Sequence, residues 1–148
     1  MYIKISLNGG FHYVYIIIGL LVDRLLKMEV ILDTNFIISC LRKKIDFMGQ
    51  LEEKGFKIAV PREVMQELKD VRFDKKTSRE DRAAIDIAMQ MLSEKKIKKM
   101  SLGSGKVDSW LVQKGNDGYY IATLDREIKH KIPKRVVIFD AQKRVGIE

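Results

Sequence analysis

Glu29-Val30-Ile31-Leu32-Asp33-Thr34-Asn35 (EVILDTN) is the stretch whose reading decides the fold. Glu29 to Leu32 is a short β-branched run, and from Asn35 to Leu41 the pattern turns helical. Asp33 is thereby placed at the exit of a strand. The same alternation continues outward. A helical piece over about Phe47–Lys54 ends at Gly55, where a glycine can take the left-handed C-terminal conformation. Lys57–Val60 (KIAV) is the next strand. Pro61 suits a first helical turn, where its missing N–H would lack a partner anyway. The spacing predicts a helix over Pro61–Asp70, with Val64 and Leu68 on its apolar face and Glu67 beside Leu68.

The polar stretch Arg72–Thr77 (RFDKKT) then breaks the pattern. Ser78, with Asp81 three residues on, resembles a capping arrangement, and Ile85, Ala88, Met89 and Leu92 follow at helical spacing, so a long helix is predicted from Ser78 to Lys95. Ile97–Ser101 reads as a short strand and Gly103–Gly105 as a loop. Val107–Lys114 reads as a helix stopped by Gly115, with Val107, Trp110 and Leu111 inward and Asp108 in its first turn. Tyr119–Leu124 (YYIATL) is a strong strand leading to Asp125. Asp125–Lys131 is a helix with acids early and bases late, the order its dipole favours, and Arg135–Phe139 (RVVIF) closes the chain as a last strand. Strands alternating with helices predict an α/β fold with a central parallel sheet covered on both faces, whose ligands bind outside the carboxyl ends of the strands.

The 148 residues suffice for one domain with a real core. A hydrophobic share of 46% beside 32% charged residues is a globular balance. Lys and Arg number 28 against 20 Asp and Glu, a net charge of +8 that makes RNA or DNA the first partner to consider, although such a surplus also serves solubility alone. Cys40 is the only cysteine, which excludes an intrachain disulfide and a Cys-based zinc cluster and fits a reducing cytoplasm. With only His12 and His130 for histidines, and neither near a nucleophile motif, Ser/His/Asp and Cys/His hydrolases are disfavoured.

Phe11–Val22 (FHYVYIIIGLLV) is the most apolar stretch, but it is shorter than the roughly 20 residues a membrane helix needs. It also lacks the small-residue cleavage site of a secretory signal. Residues 1–27 are therefore read as an apolar extension, either packing on the domain or a sister subunit, or lying upstream of a natural start at Met28; the domain proper is 28–148.

Asp33, Glu67, Asp108 and Asp125 fall at loop or helix-start positions around one sheet edge. Taken singly, each has a plain structural role: Asp33 and Asp125 as helix caps, Glu67 as a solvated helix residue, Asp108 as a favourable charge at a helix start. Gathered together, they would repel one another unless a hard divalent cation such as Mg²⁺ lay among them. Such a cation would activate water and stabilise charge on a phosphodiester under in-line attack. Glu63, one turn before Glu67, is expected to face solvent; Asp117 belongs to an Asn-Asp-Gly turn, and Asp86, Glu127 and Asp140 to the surface.

Four segments in order carry a resemblance: DTNFII at Asp33–Ile38, Val60-Pro61 with VMQEL at Val64–Leu68, Asp108 with Leu111, and ATLDRE at Ala122–Glu127. Together they resemble the PIN-domain nucleases from Met28 to about Phe139. The resemblance implies a three-layer α/β/α sandwich in which Asp33, Glu67, Asp108 and Asp125 are the catalytic and metal-binding acids of an endoribonuclease using Mg²⁺ or Mn²⁺. It further implies that Thr34, Asn35 and Thr123 orient carboxylates and water. Leu124 departs from the pattern, since many relatives carry Asn or Asp there, and one auxiliary hydrogen-bonding group is thereby missing.

A carboxylate-lined site repels phosphate, so nearby cations must hold the strand. Lys75, Lys76, Arg79 and Arg82 cluster between two helices, and Arg126, Lys129, Lys131, Lys134 and Arg135 follow the last acid; these are the expected RNA-backbone contacts. Tyr119, Tyr120 and Trp110 are expected in the core. VPREVMQEL and ATLDREIK resemble archaeal relatives of ribosomal-RNA-processing PIN proteins more than VapC-type toxins, which would bring a small protein antitoxin as partner. Relatives often pair as homodimers, and Phe11–Val22 could join such an interface. Two other readings stand beside the nuclease: a PIN-like RNA-binding or assembly module with weak catalysis, and a Mg²⁺-using receiver or phosphatase, which the absence of an Asp-x-Asp pair at Asp33 disfavours.

Overall fold

Strand β1, Glu29–Leu32, lies at the centre of a six-stranded sheet of order β3-β2-β1-β4-β5-β6. The computed structural model describes residues 18, 19, 21, 22, 28–94 and 97–148. Most of the 1–27 extension, with the question of a start at Met28, lies outside the described residues, as does Lys95. Among the described residues no helix is long and apolar enough to cross a membrane.

Helices α1 (Thr34–Arg42) and α2 (Phe47–Glu53) follow β1. Strand β2 (Lys57–Pro61) then leads into α3 (Arg62–Phe73), α4 (Arg79–Glu94) and β3 (Lys98–Met100). Helix α5 (Val107–Asn116), β4 (Tyr120–Ala122), α6 (Arg126–Lys131) and β5 (Arg135–Phe139) complete the parallel part. After β5 comes a 3₁₀ turn, Asp140–Gln142, and a strand the sequence reading lacked, β6 (Arg144–Ile147), which pairs antiparallel with β5. The other pairings are parallel, so the α/β expectation holds with one antiparallel edge added.

Alternation along the central strands builds the layers. Val30 and Leu32 of β1, and Ile58 and Val60 of β2, pack into one cluster with Phe36, Phe47 and other apolar residues of α1–α4. Ile31 and Ala59 point to the opposite face, where they meet Leu111 of α5, Ile128 of α6, Ile121 and Ile132. A parallel sheet buried on both faces needs apolar residues in both phases, as EVIL and KIAV provide. Each fully buried large side chain contributes about 1.5–3 kcal/mol relative to exposure, and Phe36, Phe47, Leu68 and Leu111 are all in that state.

Several boundaries move for physical reasons. Pro61 ends β2 and caps α3 rather than opening it. Helix α3 runs on through Arg72 and Phe73, where Arg72 binds Asp86 of α4 at 2.6 Å from Nε, so the break expected over Arg72–Thr77 begins two residues later, at Asp74, and lasts to Ser78. Gly115 does not stop α5. It lies buried inside the helix, where an added Cβ would stand 2.5 Å from Ile132 Cγ2, so it serves close packing; the chain turns at Asp117 and Gly118, whose φ is +104°.

Candidate functional site

In the order β3-β2-β1-β4-β5-β6, chain direction of travel reverses between β1 and β4. Crossovers from these two strands leave on opposite faces, and a crevice opens at their carboxyl ends, the place where open α/β sheets bind ligands. Asp33 is the residue after β1, and Asp125 stands three residues after the end of β4. Both acids therefore flank the switch point, for reasons visible in strand order alone.

Hydrogen bonds tie the two sides together. The Asp33 amide donates to the Ala122 carbonyl at 3.0 Å, extending the β1–β4 pairing by one residue. Thr123, wholly buried, donates its hydroxyl to Asp33 Oδ2 at 2.7 Å and accepts from the Asp125 amide at 3.1 Å. Asn35 Oδ1 accepts from the Leu124 amide at 3.3 Å, which ties α1 to this turn. On the other flank, Thr34 donates to Glu67 Oε2 at 2.6 Å, bringing α3 to the start of α1. One threonine thus joins Asp33 to the Asp125 amide, and the other, next to Asp33 in the chain, holds Glu67.

Both cap roles are present. Asp33 Oδ1 accepts from the Thr34 amide at 2.8 Å, and Asp125 Oδ1 from the Glu127 amide at 2.7 Å. At Asp125 the second carboxylate oxygen accepts no bond among the described residues, whereas both oxygens of Asp33 already accept one, and only their remaining lone pairs are left for the crevice. Asp108, in the first turn of α5, is exposed, and its carboxylate makes no hydrogen bond among the described residues.

All four predicted acids line one cleft of about 540 Å³. Glu63 and Asp70 line it too, so it holds six acids and no basic residue. Glu63, expected to face solvent, is half-buried: its Oε1 accepts from the Leu102 amide at 3.0 Å and from the Ser101 hydroxyl at 3.3 Å, while its Oε2 is buried without a partner among the described residues. The spacing of Glu63, Glu67 and Asp70 at i, i+4 and i+7 was the available signal, since it places all three on one helix face.

Burial pushes the Asp33 carboxyl above its ordinary value, and the negative charges of Glu67 and Asp108 push the same way. The hydrogen bonds from Thr123 and Thr34 oppose them. A desolvated acid raised by its acidic neighbours is a site that a cation relieves. The donor set also fits a hard divalent ion, which takes carboxylate oxygens and keeps several waters. Among the described residues, however, no three acidic, histidine or cysteine side chains stand together as a ready metal cage. The acids share a cleft without converging to ligand distance.

The predicted cations fall in three settings. Lys75, Lys76, Arg79 and Arg126 are exposed. Lys129 is half-buried, and its carbonyl accepts from Arg135 at 2.8 Å. Arg82 is half-buried and donates to the Asp74 carbonyl at 3.0 Å, holding the α3–α4 loop. Burial pushes the Cys40 thiol up to about 12, which makes it an inert core residue.

Fold and site together define an α/β domain with an acid-lined crevice at its switch point. The chain belongs to the PIN-like domain family, whose sequence profile matches residues 30–141. PIN domains are generally nucleases and typically use divalent metal ions. Comparison with curated proteins returns no match.

Proposed function

We propose that the chain is a divalent-metal-dependent endoribonuclease, with Asp33, Glu67, Asp108 and Asp125 as the acids that hold Mg²⁺ or Mn²⁺. The observation that carries this reading is the buried Thr123 hydroxyl, which couples Asp33 to the Asp125 turn across the switch point of a cleft whose charged lining residues are all acids. The ion would supply water activation and charge neutralisation at a phosphodiester. The chain's own residues do the rest. Thr123 and Thr34 fix the oxygens of Asp33 and Glu67, and pre-orientation of this kind spares reorganisation during reaction. Exposed Asp108 closes the cleft from α5.

Cleavage of single-stranded RNA by wild type and Asp33→Asn across a Mn²⁺ titration tests the reading. Metal-dependent cleavage by wild type, lost in the variant, is expected. Metal-independent binding with no cleavage at any concentration sinks it and leaves the second reading, an RNA-binding or assembly module with weak catalysis. That alternative draws on the four acids standing short of a closed cage.

Within the nuclease reading, VPREVMQEL and ATLDREIK favour cytoplasmic RNA processing, of ribosomal RNA in the first instance, over a toxin. Growth arrest on expression, relieved by a small co-encoded protein, would reverse that order.

A further inference from the structure

Gln66, Asp70 and Phe73 stand at i, i+4 and i+7 along α3, on one stripe of the helix. The first two line the acidic cleft. Phe73 therefore continues the rim of the cleft, about 4.5 Å further along the helix axis than Asp70. It is 74% exposed, more than any other large hydrophobic residue among those described. The Arg72 guanidinium lies over its ring, 5.2 Å from the centroid, and is itself held by two bonds to Asp86 at 2.6 and 3.0 Å. A fixed cation thus braces one face of the ring while most of the residue stays in water.

The turn after Phe73 is tied down. Asp74 Oδ1 accepts from the Lys76 amide at 2.8 Å, the Thr77 hydroxyl donates to the Val71 carbonyl, and Arg82 donates to the Asp74 carbonyl. Arg82, expected on the RNA backbone, is spent on this turn. Arg72 with Asp86 and Arg42 with Asp81 close as two-pronged ion pairs. Between Arg72 and Arg82 this leaves Lys75, Lys76, Arg79 and Arg82 against Asp74 and Glu80. Lys75, Lys76 and Arg79 are exposed and have no ion pair among the described residues. That surplus is modest, and charge alone selects no partner. An exposed ring followed by three free cations does, because the bases of a single strand stack on aromatic faces while its phosphates meet the cations.

We infer that the α3–α4 tip grips the unpaired strand beside the cleft, with Phe73 stacked on a base and Lys75, Lys76 and Arg79 on the neighbouring phosphates. The inference rests on the ribonuclease reading and narrows its substrate to RNA with unpaired bases next to the cut. Single-strand sites on other small domains span about 4–16 nucleotides, so a strand whose phosphodiester lies in the cleft passes this rim. In the sequence Phe73 was hidden inside a polar stretch, RFDKKT.

The test is fluorescence anisotropy of the full chain with a labelled single-stranded RNA in chelator, beside a strand of equal length whose bases are removed. Phe73→Ala is expected to weaken binding of the RNA about tenfold and to leave the abasic strand unchanged; Phe73→Tyr should keep wild-type affinity. Lys75→Ala/Lys76→Ala/Arg79→Ala should weaken both strands alike and lower the slope of log Kd on log salt by about two. Ile87→Ala, which removes another exposed apolar side chain from α4, should change nothing. Cleavage of the same RNA is then followed in Mn²⁺. If wild type cleaves but Phe73→Ala keeps its affinity, or Ile87→Ala loses as much, the inference alone falls and the ring is left for a protein contact. Binding through Phe73 without cleavage at any Mn²⁺ concentration overturns the ribonuclease reading alone. If wild type neither binds nor cleaves, both fall.

Discussion

Thr123 donates its hydroxyl to Asp33 Oδ2 at 2.7 Å, although the two residues are 90 positions apart in the chain. Both are buried, so the bond forms where water cannot replace it. Removing it with the near-isosteric Thr123→Val leaves an unsatisfied carboxylate oxygen, at a cost of about 1–3 kcal/mol. Supporting groups of this kind typically govern about 10–100-fold in activity or metal affinity. The variant should lower cleavage by at least that lower bound, and Thr123→Ser should restore most of it. Equal activity of the valine and serine variants would show that the hydroxyl has no part in the site.

Asp33 makes a second prediction, with the sign worked out from its raised pKa. As pH climbs past the ordinary carboxylate value, the unfolded chain releases the Asp33 proton while the folded chain still holds it. Stability is thus lost between the unfolded and the raised folded pKa, and the loss persists at higher pH. Asp33→Asn removes this penalty and keeps a capping oxygen for the Thr34 amide. In chelator at pH 7.5 the variant should melt higher by roughly 2–4 °C, the shift that about 1 kcal/mol gives a chain of this size. Near pH 4 the difference should shrink. Mn²⁺ should raise the melting temperature of wild type alone. A variant that melts lower at both pH values, or gains as much from Mn²⁺, contradicts this account.

Legibility in the sequence followed the range of the interactions. Asp33 and Asp125 could be placed because strand, acid and helix are consecutive, and the helix caps they make are local. Glu67 needed the family resemblance, since only the folded chain brings its carboxylate to Thr34, 33 residues away. Asp108 needed it too, because α5 reaches the cleft through packing that no local pattern encodes. Gly115 misled for a related cause: a glycine kept for close approach looks the same in sequence as one kept for a left-handed turn. Strand β6 escaped because Arg144–Ile147 is short and contains Gly146, over which the Phe139 ring lies.

Gly115 gives a stability prediction independent of the site. A Cβ at this position would stand 2.9 Å from Ile132 Cβ and 3.3 Å from Ile121 Cγ1, both in the packed layer between α5 and the sheet. Overpacking of this kind costs about 1–3 kcal/mol, against which alanine returns roughly 0.8–1.0 kcal/mol of helix propensity. Gly115→Ala should lose about 1 kcal/mol net in urea unfolding. A gain in stability would mean that Ile132 can withdraw without cost and that the glycine is kept for another reason.

Glu63 joins α3 to the loop between β3 and α5, since its Oε1 receives both the Leu102 amide and the Ser101 hydroxyl. That loop leads to Asp108, so slack in it reaches the cleft. Local opening of a segment costs what its anchoring bonds contribute. Loss of an amide bond to a charged acceptor is worth about 1.5–3 kcal/mol, so Glu63→Ala should speed hydrogen exchange of the Leu102 amide by at least about tenfold. Glu63→Gln keeps an acceptor oxygen at the same place and should restore most of the protection, leaving exchange in β1 unaltered in both variants. Equal exchange of Leu102 in wild type and Glu63→Ala would show that the loop is held by the burial of Leu102 alone.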